Sequence, residues 1–381
     1  MFSQFCCTSL WFAGNGVMTD LISTFNLSES ALGHLTSAVQ FGFISGTLIF
    51  AILTIADRFS PSKVFFVCAL VAAIFNLGTI LKSNSFLSLF VLKYFTGFFL
   101  AGIYPVGMKI AADYFDKGLG KSLGFLVGAL VLGTAFPHLL KGYSFGFSWQ
   151  YVIVFISLLS LFGGILMLLF VPNGPYRKKS QTLKLNAWLT NFKDAKFRSA
   201  AFGYFGHMWE LYAFWAFVPV LLNFYTKNNS ESTLNIPLWS FIIIGIGGLS
   251  CVIGGYLSSV FKTKKVALFA LLLSCLCCLI SPLILLANLE FVLLSFLIFW
   301  GMVVIADSPL FSTLVAQNAI PKYKGTALTI VNCIGFAITI ISIQLLNYLH
   351  LNYHSNYLYM ILAIGPILGL IALSRKPKTH D

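Results

Sequence analysis

Apolar residues run in long stretches along this chain of 381 residues, and short polar segments separate one stretch from the next. Most stretches approach about 20 residues, the length that a helix needs to cross the hydrocarbon core of a bilayer. The pattern therefore predicts an all-α membrane protein with twelve transmembrane helices. The predicted spans are residues 1–24, 33–55, 64–81, 87–112, 120–140, 149–171, 199–225, 238–260, 266–287, 290–316, 325–348 and 357–374.

Composition and charge agree with a membrane location. The chain is 58% hydrophobic, 16% aromatic and only 9% charged, whereas a soluble globular domain is about 25% charged. A net charge of +13 would suit a nucleic-acid partner, but 19 of the 24 Lys and Arg residues fall in the loops and tail of one side, 3 on the other side and 2 within spans. This bias is the positive-inside rule. We expect an integral protein of a bacterial inner membrane, with both termini cytoplasmic and no nucleic-acid partner.

Several other signals are missing from the sequence. No basic stretch precedes the first apolar run and no small-residue cleavage pattern follows it, so we expect the first helix to remain in the protein. All eight cysteines fall inside predicted spans, where they behave as small apolar residues. The CLCC run at 275–278 has no His or carboxylate nearby in the sequence, and no HExxH or P-loop occurs. We therefore predict no metal, no cofactor and no enzymatic activity.

A long polar segment divides the chain into two sets of six spans. The predicted domains are residues 1–171, a cytoplasmic linker at 172–198, and residues 199–381. The two halves contain matching features: the basic turns Leu53–Val64 and Gly255–Val266 align at an offset of 202 residues. A Gly and a Pro eight positions apart recur in spans four and ten at an offset of 204. Such internal repeats are common in transporters.

These features resemble the major facilitator superfamily of secondary transporters. The resemblance rests on twelve spans arranged six plus six, a basic central loop, and the segment ADRFSPSK at 56–63, which is similar to a loop signature of that superfamily. It implies two pseudo-symmetric six-helix bundles around a central cavity. It also implies a cytoplasmic gate, with Asp57 near the positive end of a helix from the second half and Arg58 near Asp113. The alternative is a solvated pair of loop charges, worth little.

Few ionisable residues lie inside the spans, and each is a candidate functional group because a charge at mid-membrane is costly. His207 and Glu210 lie one turn apart in span seven and share a helix face, while Tyr212 points elsewhere. A hydrogen bond between His207 and Glu210 that merely holds this helix against a neighbour is the alternative. Lys109, near the inner boundary, is expected to snorkel or to pair with Asp113.

The candidate residues occupy every third helix. Spans one, four, seven and ten are the helices that the resemblance implies to line the central cavity. The predicted substrate or proton pathway consists of Asn15, Lys93, Tyr104, His207, Glu210 and Asp307. Trp11 and Trp300, near the same helices, could stack on a substrate, but packing is the interpretation that we favour for both.

A transport mechanism follows from the two carboxylates. Burial disfavours the charged form of a carboxylate, so Glu210 or Asp307 can load a proton as the halves rock, with His207 tuning Glu210. Lys93 either takes part in proton coupling or provides a counter-charge for an anion. We predict a monomeric symporter that imports a small polar or anionic solute by alternating access. Proton-driven efflux of amphipathic compounds is the alternative, suggested by the aromatic content and by the glycines of Gly120–Pro137; a membrane-embedded enzyme or receptor is disfavoured.

Overall fold

The computed structural model describes residues 1–114, 119–143, 148–177, 187–353 and 355–375, and helices account for most of them. Part of the predicted linker, residues 178–186, and the basic tail at 376–381 lie outside the described residues. The helices of the first half are Phe2–Thr8, Ala13–Gly16, Met18–Phe25, Ala31–Ile52, Ile55–Arg58, Pro61–Gly78, Phe86–Leu100, Tyr104–Tyr114, Leu119–Gly142 and Trp149–Phe170. Those of the second half are Ala187–Lys193, Ala195–Asn228, Ile236–Val260, Thr263–Ala287, Glu290–Ala306, Ser308–Asn318, Lys324–Asn352 and Ile364–Ser374, with 3₁₀ turns at Pro321–Tyr323 and Leu358–Ala363.

The prediction of an all-α membrane protein is confirmed, and the structure is consistent with twelve spans. Across the described ranges, ten helices are long and apolar enough to cross a bilayer. The first span is instead broken into three short helices, and the twelfth begins with a 3₁₀ turn. Hydropathy did not predict the break in the first span. The second break, at Val17, directly follows Gly14 and Gly16, and glycine is a poor helix former.

The internal repeat reappears in the helix boundaries. The third span begins at Pro61 and the ninth at Thr263, an offset of 202. The fourth span extends from residue 86 to 114 and the tenth from 290 to 318, an offset of 204 at both ends. Each of these two spans is interrupted two residues before its proline, at Ile103 and at Asp307 respectively. Proline lacks an amide hydrogen and disturbs the preceding turn, which explains why both helices break at the same place.

Close helix contacts are repeated in the same way. A Cβ atom placed on Gly97 of span four would lie 2.0 Å from the carbonyl oxygen of Val39 in span two. A Cβ atom on Gly301 of span ten would lie 2.0 Å from the carbonyl oxygen of Ile243 in span eight. All four residues match at the offset of 204, so the two halves use glycine at the same point to bring the same pair of helices together.

The two halves meet along two helix pairs, span two with span eleven and span five with span eight. We call the end of the bundle that holds both chain termini the basic face. At the opposite face the halves are hydrogen-bonded: Gln344 Nε2 donates to Ser37 Oγ at 2.9 Å, and Asn235 Nδ2 donates to the Gly142 carbonyl at 3.3 Å. Towards the basic face, a cavity of about 320 Å³ separates spans two and four from span eleven. The interface is therefore closed on one side and open on the other.

Candidate functional site

Asp307 occupies the interruption in span ten and is fully buried. Its carbonyl oxygen accepts hydrogen bonds from the amides of Leu310 and Phe311, which start the helix Ser308–Asn318. Its carboxylate oxygen Oδ1 lies 2.8 Å from Nδ1 of His207, which is 1% exposed. The structure thus joins spans seven and ten through an acid–imidazole pair at the point where span ten is broken.

His207 therefore pairs with Asp307, and the alternative interpretation, a hydrogen bond between His207 and Glu210, is wrong. The two residues do share a face of span seven, but span ten runs antiparallel to it. His207 consequently meets Asp307, whereas Glu210, one turn further along, meets Trp300, which precedes Asp307 by two turns. His207 and Glu210 thus each have a separate partner in span ten.

Three donors converge on one oxygen of Glu210. Ser274 Oγ donates to Oε1 at 2.5 Å, Trp300 Nε1 at 2.6 Å and Cys278 Sγ at 3.2 Å. Glu210 is 1% exposed, and no basic side chain forms an ion pair with it in the part of the chain that the structure describes. This carboxylate is held by neutral donors between spans seven, nine and ten.

Sequence reasoning missed all three donors, and Ser274 was not considered at all. Trp300 and Cys278 were both assigned to packing, yet each binds Glu210. The spacing of seven residues between Trp300 and Asp307 is the signal that could have found Trp300, since it places both side chains on one helix face. For Cys278 the sequence offers no comparable signal.

Hydrogen-bonding capacity remains open at the His207–Asp307 pair. Nε2 of His207 and Oδ2 of Asp307 are buried without a hydrogen-bond partner among the described residues. Buried polar atoms are nearly always partnered in stable structures, so unpartnered ones are candidates for contact with a bound species or a proton.

Lys93 and Asn15, predicted to line the pathway, face other parts of the first half. The ammonium group of Lys93 donates to Asn76 Oδ1 at 3.2 Å and packs over Gly14, inside the first bundle. Asn76 in turn donates to Ser157 Oγ at 2.9 Å. Asn15 Nδ2 donates to Thr36 Oγ1 at 2.9 Å. The structure therefore does not bring Lys93 together with the carboxylates of the second half.

Aromatic rings from both halves fill the middle of the interface. The ring of Trp11 stacks on Phe336, with centroids 5.6 Å apart, and lies 5.8 Å from the ring of Tyr212. Tyr104, one of the predicted pathway residues, packs edge-on against Trp11 at 6.5 Å. Phe43 completes the group at 4.5 Å from Phe336. We call these five residues the central aromatic cluster; as expected, Tyr212 points away from the face that carries His207 and Glu210.

A family model described as the Major Facilitator Superfamily matches residues 1–344. The chain belongs to this superfamily. Its resemblance, first noted from the loop signature and the six-plus-six spans, is thereby confirmed, and the assignment supports a transporter rather than an enzyme. No curated protein sequence matches the chain significantly.

Solved structures of superfamily transporters share the fold at low sequence identity. The proton:xylose symporter XylE, bound to 6-bromo-6-deoxy-D-glucose, has a TM-score of 0.74 and 14% identity, with 97% of this chain and 92% of that chain covered. The nucleoside transporter NupG has a TM-score of 0.71, 15% identity and 98% and 97% coverage. An inward-facing, unoccupied bacterial homologue of the human lysosomal transporter Spinster has a TM-score of 0.69, 14% identity and 97% and 92% coverage. At such identities these likenesses establish the fold alone.

The superfamily loop lies at the basic face, and its charges pair differently from the expectation. Lys109 Nζ lies 2.8 Å from Asp57 Oδ1, so Lys109 pairs with Asp57 rather than with Asp113. Arg58 Nε donates to Thr54 Oγ1 at 3.2 Å instead of approaching Asp113. The physical reason is local. Arg58 follows Thr54 by four residues in the short helix Ile55–Arg58, and this spacing places the two side chains next to each other.

Asp113 and Asp57 are instead bridged by the segment that leaves span six. Nη2 of Arg177 donates to the carbonyl oxygens of Asp57 and Phe59 at 3.0 and 2.9 Å. The amide of Tyr176 donates to the carbonyl oxygen of Asp113 at 3.0 Å. Asp57 also borders the cavity of about 320 Å³ together with Gly325, near the start of span eleven. The expected contact of Asp57 with a helix N-terminus of the second half stays a prediction.

Proposed function

We propose that this superfamily member is a proton-coupled symporter that imports a small polar or anionic solute. The observation that supports the proposal best is the buried pair of Asp307 and His207 at the break in span ten, with Glu210 on the same helix face as His207. A buried carboxylate is costly in its charged form unless it is paired and hydrogen-bonded. Binding and releasing a proton can therefore change which contacts hold spans seven and ten together.

Asp307 is the proposed proton carrier. While charged, it is stabilised by His207 at 2.8 Å. Protonation weakens that attraction and frees His207, whose Nε2 is already without a partner in the described structure. Because the pair sits at an interruption of the helix, the loss of one contact can be converted into a change of angle between the two parts of span ten.

Glu210 is the proposed second acid. Its three neutral donors stabilise a charged carboxylate, but they come from spans nine and ten, so movement of these helices relative to span seven would remove them. Alternating access requires such relative movement of helices around a binding site near mid-membrane. In this scheme the affinity of Glu210 for a proton depends on which face of the transporter is open.

The experiment that tests the proposal is uptake into proteoliposomes with an imposed pH gradient. Pentoses, hexoses, nucleosides, carboxylate anions, amino acids and amphipathic cations would be screened as labelled solutes, with and without the gradient. We expect one polar or anionic solute to accumulate on the side towards which protons flow down their gradient. Accumulation that follows a sodium gradient and does not respond to the pH gradient would contradict proton coupling. Transport of none of these solutes would contradict the proposed uptake function.

Proton-driven efflux of amphipathic compounds remains the second candidate, and the central aromatic cluster favours it. Five rings from both halves offer apolar, polarisable surface in the middle of the interface. The same vesicles separate the two functions. An importer accumulates the solute together with protons, whereas an exporter accumulates it against the direction of proton flow.

We further propose that the basic face is cytoplasmic, in a bacterial inner membrane, and that the protein acts as a monomer. The excess of Lys and Arg in the loops at this face supports the orientation. The proposed domains are the bundles at 1–171 and 199–381 joined by the linker at 172–198. Labelling of single cysteines placed in the loops of each face, with a reagent that does not cross the membrane, tests the orientation.

A further inference from the structure

A large basic cavity lies at the basic face of the second half, separate from the interface between the halves. Its volume is about 1030 Å³, roughly three times that of the interfacial cavity. It is bounded by the basic-face ends of spans seven, nine, ten and twelve. Its charged lining residues are Lys193, Asp194, Lys196, Arg198, Lys264 and Arg375.

Four of the five cations in this lining are available to a ligand. Arg198 is engaged, because its Nη1 donates to the carbonyl oxygens of Phe192 and Lys193. The side chains of Lys193, Lys196, Lys264 and Arg375 form no ion pair within the residues that the structure describes. Asp194 is occupied as the cap of span seven, where it accepts a hydrogen bond from the amide of Phe197 at 2.8 Å.

The first half closes the corresponding place with its own chain. Gln317 of the cavity lining matches Asp113 at the offset of 204. Asp113 is 7% exposed, and the segment that leaves span six lies against it: a Cβ atom on Gly174 would be 2.3 Å from the Asp113 carbonyl oxygen. In the described residues, the second half thus has a positively charged cavity at a place where the first half has a buried carboxylate covered by its own chain.

The cavity floor is apolar and reaches the lipid-facing surface. Leu314 and Leu373 are buried, whereas Phe202, one turn above Arg198 on span seven, is 48% exposed on the outside of the bundle. A cationic rim above an apolar, lipid-facing wall matches the shape of an anionic phospholipid, whose phosphate lies at the interface and whose chains lie below it. Basic pockets between transmembrane helices at the cytoplasmic side are known to bind such headgroups.

We propose that this cavity binds a phosphate group, in the first place that of an anionic phospholipid headgroup. Lys196, Lys264 and Arg375 hold the phosphate, and Phe202 contacts the acyl chains. Free phosphate esters carry the same chemistry, so they are the second source of ligand. The proposal does not depend on proton coupling, because none of these residues belongs to the site formed by His207, Glu210 and Asp307.

The test uses the full-length chain purified in a neutral detergent. Binding of a fluorescent phosphatidylglycerol would be compared with binding of a phosphatidylcholine that has the same chains, and inorganic phosphate and glycerol phosphate would be added as competitors. The cavity variant is Lys196→Ala with Lys264→Ala. The matched control is Lys262→Ala with Lys265→Ala, which removes equal charge next to Lys264 on the basic face, at residues that do not line the cavity.

We expect the cavity variant to bind phosphatidylglycerol about tenfold or more weakly, since a basic residue near the membrane surface contributes about 1 kcal/mol of attraction. The control variant should keep the affinity of the unmodified chain, and thermal unfolding should be the same for both. Competition by glycerol phosphate would support recognition of the phosphate itself, whether lipid or free ester is the source. Equal weakening in both variants, or equal binding of phosphatidylcholine, would overturn the proposal.

Discussion

Lys93 in span four and Asp307 in span ten belong to corresponding helices of the two halves, yet neither has a charged counterpart. At the offset of 204, the position of Lys93 matches Leu297 and that of Asp307 matches Ile103. Both apolar residues are fully buried. The same scaffold thus folds with an apolar side chain at either position, which indicates that the charges are not required to build it.

The third and ninth spans extend the comparison. Asn76 and Cys278 match at the offset of 202, and each hydrogen-bonds the buried ionisable group of its own half, Lys93 and Glu210 respectively. The first half therefore holds a cation with a neutral acceptor, whereas the second half holds carboxylates with neutral donors and an imidazole. The difference implies that the buried carboxylates, which lose their charge when they bind a proton, are concentrated in the second half.

The largest expected effect is on coupling. Replacing Asp307 with asparagine keeps the size of the side chain but removes its charge and its proton. We expect accumulation driven by a pH gradient to fall to the level reached without the gradient. Glu290→Gln is the control, because Glu290 lies at the exposed end of the same span, where it accepts a hydrogen bond from Ser232 at 2.8 Å. An unchanged gradient dependence in Asp307→Asn would assign the proton to another group.

The next effect concerns stability at Glu210. Glu210→Leu leaves the donors Ser274 and Trp300 without their acceptor, and each buried unpaired donor costs about 1–3 kcal/mol. Glu210→Gln keeps one acceptor oxygen and should lose much less. Thermal unfolding in detergent measures the stability of both variants. Equal stability of the leucine and glutamine variants would mean that the three hydrogen bonds contribute nothing to the fold.

The repeated glycines test whether the two halves share one scaffold. Gly97→Ala and Gly301→Ala each force a methyl group against a backbone oxygen, and overpacking of this kind typically costs about 1–3 kcal/mol. We expect similar losses of thermal stability in the two variants. Gly325→Ala is the control, since no atom lies within 4 Å of a Cβ added there. A large loss of thermal stability in only one of the two variants would show that the two glycines do not contribute equally to the fold.

The smallest effect is expected at Lys93. Its counterpart Leu297 is fully buried, and a buried charge that has no oppositely charged partner is costly. Lys93→Leu removes the cost of a buried charge but leaves Asn76 Oδ1 without its donor, so we expect the two effects to cancel to within about 1 kcal/mol of the unfolding free energy. Asn76→Ala, which leaves the ammonium group without its acceptor, should be the more damaging change. The reverse order would indicate that the charge of Lys93 stabilises the first bundle.

Hydropathy and the internal repeat were sufficient to predict the architecture. Apolar runs of span length leave few alternatives to membrane helices, and the alignment of Gly97 with Gly301 predicted a repeat that the helix boundaries reproduce. Depth in the membrane singled out His207, Glu210, Asp307 and Lys93, because an ionisable group there is rare and costly, and of these the structure pairs His207 with Asp307 and keeps Lys93 within the first bundle.

Partners of these residues could not be predicted in the same way. Helical spacing places His207 and Glu210 on one face, but it does not say which neighbouring helix each will meet, so the pairing of His207 with Asp307 depended on tertiary packing. The approach of Lys109 to Asp57 likewise depends on a contact between residues far apart in the sequence. The break in span one depends on local turns, which hydropathy does not resolve. The central aromatic cluster was missed for the same reason, since Trp11 meets Phe336 across the two halves.

The most direct test of the difference between the halves is proton entry during transport. Vesicles containing the protein and a lumenal pH-sensitive dye would receive the solute found in the uptake screen, with no imposed gradient. The unmodified protein and Lys93→Leu should acidify the lumen as the solute enters, whereas Glu210→Gln with Asp307→Asn should admit the solute without acidification or not at all. Acidification that persists in the carboxylate variant and disappears in Lys93→Leu would contradict the account.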